Sequence, residues 1–259
     1  MTQALVTTRV EAGVGIMELS RPEKFNSLST DVMRGIDAAL TAFESDRNVR
    51  AILLRAQGKN FCTGADLAEV KSYRGNRDQV AHFIEYGHGV LKRLEASTLP
   101  VIGVVQGLAL AGGLELMMAC DVIFAAKSAR MGDQHARYGL IPGWGGSQRL
   151  PQIVGVRRAL DLLFSARWLS ADDALATGLV NYVCEDDSVQ AEAYAYAKAL
   201  TVKSRSGLAL MKRLARQGDD MALSNALNFE AALVVDAIRS EDVSEGLAAF
   251  EGRREPIFP

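Results

Sequence analysis

Leu108-Ala109-Leu110-Ala111-Gly112-Gly113-Leu114-Glu115-Leu116-Met117-Met118-Ala119-Cys120-Asp121 is the stretch on which the reading of this chain turns. Glu115 is the only ionisable carboxyl or amine between Gln106 and Cys120. An isolated carboxylate among apolar residues is costly to keep charged. Burial there raises its pKa toward the range in which a carboxyl both takes and gives protons near neutral pH. Gly112 and Gly113 come just before it, at the expected start of a helix. Bare backbone at that point lets a ligand approach closely and leaves free N–H groups facing it. An acid/base beside a set of amide donors can stabilise an oxyanion and move a proton next to it.

Strand and helix patterns alternate on either side. Pro100 leads into a strand over Val101–Val105, and Gln106-Gly107 turns the chain before the Glu115 helix. Val122–Ala126 and Ala51–Ala56 read as further buried strands. Residues 5–10 and Val14–Leu19 alternate as a hairpin closed by a glycine turn. Ser29-Thr30-Asp31 can cap a helix running to about Ser45, with Val32, Ile36, Ala39, Leu40 and Phe43 on one face. Residues 81–96 have helical periodicity. The polar stretch 69–79 reads first as a solvated loop or frayed helix, and in a sharper reading as a mobile lip over a binding site. From about Ser188 the pattern is helical, with a strand signal only at Pro256-Ile257-Phe258-Pro259. The expectation is an α/β fold with parallel strands, divided into a core over 1–190 and a helical region over 191–259.

Composition narrows the function. The chain has 259 residues, is 49% hydrophobic and carries a net charge of −2. With no dense Lys/Arg run, nucleic acid and anionic membrane surfaces are not expected partners. No apolar run reaches transmembrane length, and residues 1–10 lack the basic and apolar regions of a signal peptide. Cys62, Cys120 and Cys184 are too widely spaced for a disulfide framework or a metal site, which fits a reduced, cytoplasmic setting. His82 and His88 fall on different faces of one helix, so no metal is expected.

Three glycine-containing segments could together form a site: Phe61-Cys62-Thr63-Gly64-Ala65-Asp66-Leu67, Gly107 through Glu115, and Ile141-Pro142-Gly143-Trp144-Gly145-Gly146-Ser147-Gln148-Arg149-Leu150. None is a phosphate-binding loop, and there is no GxSxG elbow. In combination they resemble the motifs of the crotonase superfamily, the enoyl-CoA hydratase/isomerase family. Arg21-Pro22-Glu23-Lys24-Phe25-Asn26-Ser27-Leu28 and the segment from Ser240 to Phe250 extend the likeness over essentially the whole chain. The resemblance implies a spiral of ββα units with a C-terminal helical region, trimers that often pair into hexamers, and acyl-CoA thioester substrates. It implies an oxyanion hole made by the backbone N–H groups of Ala65 and Gly112. It also implies CoA contacts around Lys24, Phe25, Asn26, Ala65, Asp66 and Leu67, with Asp66 read as orienting its own loop. No cofactor is implied beyond the coenzyme A of the substrate.

One departure from the family pattern bears on the chemistry. Hydratases of this kind use two glutamates, the first matching Glu115. Counted from either Gly132 or Pro142, the second position is His135. Histidine serves as an acid or base near neutral pH. The expected pair is therefore Glu115, activating water, and His135, protonating carbon, with Asp133 or Tyr138 as substitutes if the loop is displaced. The leading expectation is reversible addition of water to a 2-enoyl-CoA. The alternatives are an acyl-CoA hydrolase or C–C cleaving enzyme on the same fold, or a catalytically silent acyl-CoA-binding protein.

Overall fold

The computed structural model describes residues 4–258; Met1–Gln3, part of the N-terminal reading, and Pro259 lie outside it. In chain order the elements are β1 (Val6–Glu11), β2 (Val14–Leu19), α1 (Thr30–Ser45), β3 (Ala51–Ala56), α2 (Leu67–Tyr73), α3 (Arg77–Ala96), β4 (Val101–Val105), β5 (Leu108–Leu110), α4 (Gly112–Met118), β6 (Val122–Ala126) and β7 (Arg130–Gly132). They continue as α5 (Gly146–Val154), α6 (Val156–Ser165), β8 (Leu169–Ser170), α7 (Ala171–Ala176), β9 (Tyr182–Cys184), α8 (Val189–Leu200), α9 (Arg205–Asp219), α10 (Leu223–Ile238) and α11 (Glu241–Glu251).

The hairpin β1–β2 turns at Gly13, where φ is +83°. It forms one edge of a six-stranded sheet in the order β1-β2-β3-β4-β6-β9, parallel from β2 onward. Parallel strands covered on both faces read as continuous apolar runs, and β4 is buried along its whole length. The Ser29 hydroxyl caps α1 by accepting from the Val32 N–H at 3.2 Å, and the five apolar residues expected on one face are all buried.

A second, three-stranded sheet, β5-β7-β8, is built from strands of two or three residues that sequence periodicity does not register. Isolated parallel bridges extend its pattern: Leu28 pairs with Ala65, and Cys62 with Ala109. The chain therefore coils. Successive turns each give a strand to the large sheet, a short extended piece to the second ladder, and then a helix. This is the spiral of ββα units that the resemblance implies.

Three expectations need correction. The polar stretch 69–79 is mostly helical. Asp66 caps α2, and Asn76 caps α3 by accepting from Asp78 and Gln79 N–H, so α3 starts at Arg77 rather than residue 81. The boundary at 190/191 falls inside α8, whose Val189, Ala193 and Ala197 are buried and which packs on the six-stranded sheet. By contrast α9 and α10 contain no buried residue. The terminal strand signal is not realised in residues 256–258.

Candidate active site

The second ladder brings the three glycine segments together. Cys62 pairs with Ala109, and three residues further along each strand come Ala65 and Gly112, so close that a Cβ on Gly112 would stand 3.2 Å from Ala65 N. The Cys62 N–H donates to Leu108 O at 3.0 Å, and the Leu110 N–H donates to Cys62 O at 3.0 Å. Beyond these bonds the two strands part. Among the described residues, no backbone carbonyl of the turns and caps accepts from the Ala65 or Gly112 N–H. Ala111 supplies the change of direction at φ +49° and ψ −119°, a conformation costing a non-glycine residue of order 1–3 kcal/mol. It is held by its own N–H to Gly132 O at 2.9 Å and by the Glu115 N–H donating to its carbonyl at 3.0 Å.

Glycine is required here for space. A Cβ on Gly112 would stand 3.2 Å from Ala65 N and 2.8 Å from the Trp144 ring. A Cβ on Gly113 would fall 2.1 Å from Cys62 O, so the helix could not approach the strand so closely. Gly112 opens α4 and Glu115 lies one turn on, which places the first amide and the carboxylate on the same helix face.

Glu115 is 1% exposed. Its Oε1 accepts from the Trp144 N–H at 2.8 Å and the Gly146 N–H at 2.7 Å, both from the third glycine segment. A Cβ on Gly146 would lie 3.1 Å from that same oxygen, which explains the glycine. Oε2 accepts no hydrogen bond from the described residues. Burial pushes the carboxyl above the usual carboxylate range, against the two amide bonds and the charge of His135.

His135 reaches the same cavity from β7. The parallel pairing of β5 with β7 sets residues 133–135 beside residues 111–115. Gln134, buried, anchors this segment by donating to Ala166 O at 2.5 Å. The His135 Nδ1 lies 2.9 and 3.0 Å from the two oxygens of Asp133, itself 1% exposed. Burial pulls the imidazole down, but the Asp133 hydrogen bond and charge, with the charge of Glu115, hold it above its ordinary value. Asp133 is therefore a partner of His135 rather than a substitute for it. Tyr138 is 68% exposed and does not line the cavity.

The cavity, about 120 Å³, is lined by Ala65, Gly112, Glu115 and His135 at its polar end. Val70 and Tyr73 of α2, Phe83 of α3 and Trp144 provide apolar wall. Trp144 proves to be both core and wall: it is 2% exposed and packs on Phe83 with ring centroids 5.1 Å apart.

The residues expected at the CoA end divide into two sets. Lys24, Phe25 and Leu67 are exposed near the loop that carries Ala65. Asn26 is buried, and its side chain is spent on the fold: Oδ1 accepts from the Arg21 N–H at 2.9 Å, and Nδ2 donates to Gln57 O and Asn60 O at 2.9 and 2.8 Å. A side-chain contact from Asn26 to CoA is thus ruled out in this conformation. Asp66 accepts from the Ala68 and Glu69 N–H groups and from Arg21 Nη1 at 2.6 Å. Burial would raise its carboxyl, but these bonds together hold it below the ordinary range. Orienting its loop is the role expected of it.

The enoyl-CoA hydratase/isomerase family model matches residues 9–259. The chain belongs to this family. A probable enoyl-CoA hydratase of Rhizobium meliloti is 35% identical over 258 residues, covering 100% of this chain and 99% of that protein. A short-chain-enoyl-CoA hydratase of Clostridium acetobutylicum is 34% identical over 95% of this chain and 94% of its own length. Among solved structures, an enoyl-CoA hydratase from Bacillus anthracis superposes with TM-score 0.92 at 32% identity, covering 98% of both chains. One from Polaromonas sp. JS666 gives TM-score 0.94 at 30% identity over 98% of this chain and 99% of that one. In this member of the family, the holders of Glu115 are backbone amides that side-chain chemistry does not advertise. The signal pointing to them was the run Gly143-Trp144-Gly145-Gly146.

Proposed function

We propose that this protein adds water reversibly to a 2-enoyl-CoA, with Glu115 and His135 as its proton-handling pair. The observation that carries the reading is the convergence of an untied carboxylate oxygen, an imidazole and two unspent amides on one largely apolar cavity. The thioester oxygen lies between the Ala65 and Gly112 N–H groups. Glu115 Oε2 takes a proton from water as the water oxygen bonds to the β carbon. The C=C electron pair shifts to the Cα–carbonyl bond, and the carbonyl pair moves onto the thioester oxygen. The amides stabilise that enolate, a donor of this kind being worth about 3–4 kcal/mol. As the enolate collapses, His135 Nε2 gives its proton to the α carbon. Solvent then resets the two groups. Carboxylate, imidazole and amides supply every step, so the coenzyme A carried by the substrate is the only coenzyme used.

The cavity holds the acyl end, and the nucleotide lies outside it toward the exposed Lys24 and Phe25, with Leu67 at the cavity wall. Self-association into trimers or hexamers is part of the proposal. It is supported by exposed apolar side chains on α10 and α11, including Leu223, Val235, Ile238 and Phe250. Light scattering on the purified protein tests it. No helix among the described residues is long and apolar enough to cross a membrane. The decisive test of the reaction is product analysis by mass spectrometry with a panel of 2-enoyl-CoAs. A 3-hydroxyacyl-CoA supports hydration, whereas free CoA favours thioester hydrolysis. Binding without turnover favours a silent acyl-CoA carrier.

A further inference from the structure

Asp133 is a buried carboxylate that takes no part in the steps above. It touches no reacting atom, yet both its oxygens lie against His135 Nδ1, at 2.9 and 3.0 Å. Its Oδ1 also accepts from the His135 backbone N–H at 3.2 Å, so one carboxylate fixes both the ring and the peptide that bears it. A carboxylate at neutral pH only accepts hydrogen bonds, so Nδ1 must carry the hydrogen in this contact. Nε2 has no partner among the described residues.

We propose that Asp133 is a positioning residue that locks His135 in the Nδ1–H tautomer, leaving Nε2 as the single site of proton exchange with the substrate. The inference rests on the hydratase reading for its kinetic consequences but not for the tautomer itself. It accounts for how a histidine works where a glutamate is usual. A carboxyl can exchange a proton at either oxygen after a simple rotation. An imidazole that has given up its Nε2 proton must keep its remaining hydrogen on Nδ1, or Nε2 cannot take a proton back in the dehydration direction. Buried carboxylates hydrogen-bonded to a catalytic imidazole play this part in unrelated enzymes.

The groups acting on His135 are few. Asp133 and Glu115 are the charges that act on its ring. Arg137 follows it on the 3-10 turn Ala136–Tyr138, and Arg157, Arg158 and Asp161 of the packed helix α6 are exposed. Asp133→Asn therefore removes the main support of the protonated ring. It also offers an amide donor to Nδ1, which favours the Nε2–H tautomer.

Two measurements test this. With only three histidines in the chain, imidazole ¹⁵N spectra of wild type, D133N and H135Q assign His135 by subtraction. Wild type is expected to show Nδ1–H in the neutral ring, and D133N to show Nε2–H. Neutral His135 carrying its hydrogen on Nε2 in the wild type would overturn the proposal whatever the enzyme turns over. In kinetics, D133N is expected to lower kcat by between about 10-fold and about 10⁴-fold, the span seen for carboxylates that orient a working imidazole, with KM little changed. The basic limb of its pH profile is expected to move to lower pH. In an H135Q background the same substitution is expected to cost little more. An equal loss in both backgrounds, or an unmoved pH profile, would show that Asp133 acts only through the fold and would refute the proposal.

Discussion

Replacing Gly112 by alanine tests the oxyanion site with a single methyl group. The backbone does not object, because Gly112 is not among the residues with positive φ. Alanine at a helical position is even favourable, by up to about 1 kcal/mol. The obstacle is space. The added Cβ would lie 2.8 and 3.0 Å from two carbons of the Trp144 ring and 3.2 Å from Ala65 N. Trp144 has little room to move: Phe83 flanks it, and the α3 backbone at Gly87 is so close that a Cβ there would fall 2.2 Å from Nε1. Overpacking of this kind costs about 1–3 kcal/mol, so the net stability loss should not exceed about 3 kcal/mol. The site loses more. A methyl group in front of the Ala65 amide denies the thioester oxygen one donor, worth roughly 10²–10³ in kcat. Steady-state hydration of 2-butenoyl-CoA, read beside thermal unfolding, separates the two effects. Wild-type kcat in a folded G112A variant would show that the space between these amides is not where the oxygen binds.

Other perturbations probe different parts of the design. Glu115→Gln keeps an oxygen for the Trp144 and Gly146 amides but removes the base, so kcat should fall by about 10²–10⁴ while the fold persists. Its stability should move the opposite way. The folded-state pKa of Glu115 is raised, so its contribution is present below the unfolded pKa and is lost as pH rises through the folded value. At neutral pH the glutamine variant should therefore melt higher than wild type, with the gap closing as pH falls; a lower melting temperature would contradict the burial cost. A substrate whose acyl group carries a free carboxylate, such as 3-methylglutaconyl-CoA, should be a much poorer substrate than 2-butenoyl-CoA. The cavity wall contains no Lys or Arg to pair with the added charge, which Val70, Tyr73, Phe83 and Trp144 would take out of water. Comparable kcat/KM for the two would refute that. Asp66→Ala removes the α2 cap, at a cost of about 0.5–2 kcal/mol, and leaves Arg21 unpaired. Because α2 carries Val70 and Tyr73 on the cavity wall, KM should rise as the melting temperature drops, and an unchanged KM would detach α2 from the site.

The core of the site was legible because it obeys short-range rules. A lone carboxylate one helical turn after two glycines has few structural uses, and Glu115 is buried with its free oxygen at a cavity. The motif segments around Ala65 and Gly112 likewise converge, since a parallel ladder preserves register. Less was legible where tertiary contacts decide. Strands as short as β5 and β7 carry no period, and they exist only because each pairs with the neighbouring turn of the spiral. The stretch 69–79 reads as solvated because its polar residues outnumber its apolar ones, yet its Val70 and Tyr73 meet the cavity. Asn26 is expected at the CoA end only through the family resemblance of the segment 21–28. Its burial depends on carbonyls 31 and 34 positions away, which no local pattern discloses.

Ala65 and Gly112, which line the cavity, lie just past the Cys62–Ala109 bridge, where two parallel strands turn apart. Adjacent strands are separated by a constant of peptide hydrogen bonding, about 4.8 Å, and not by the choice of side chains. In the proposed reaction the thioester oxygen would enter the space where these strands part, a space set by the backbone pairing behind it. No point substitution in the walls can widen or narrow that gap without unzipping the ladder behind it. Variation in such a protein is thereby channelled away from the anion-binding groove and into the acyl cavity and the proton donors opposite. There a histidine can replace a carboxyl while the hydrogen-bond donors keep their spacing.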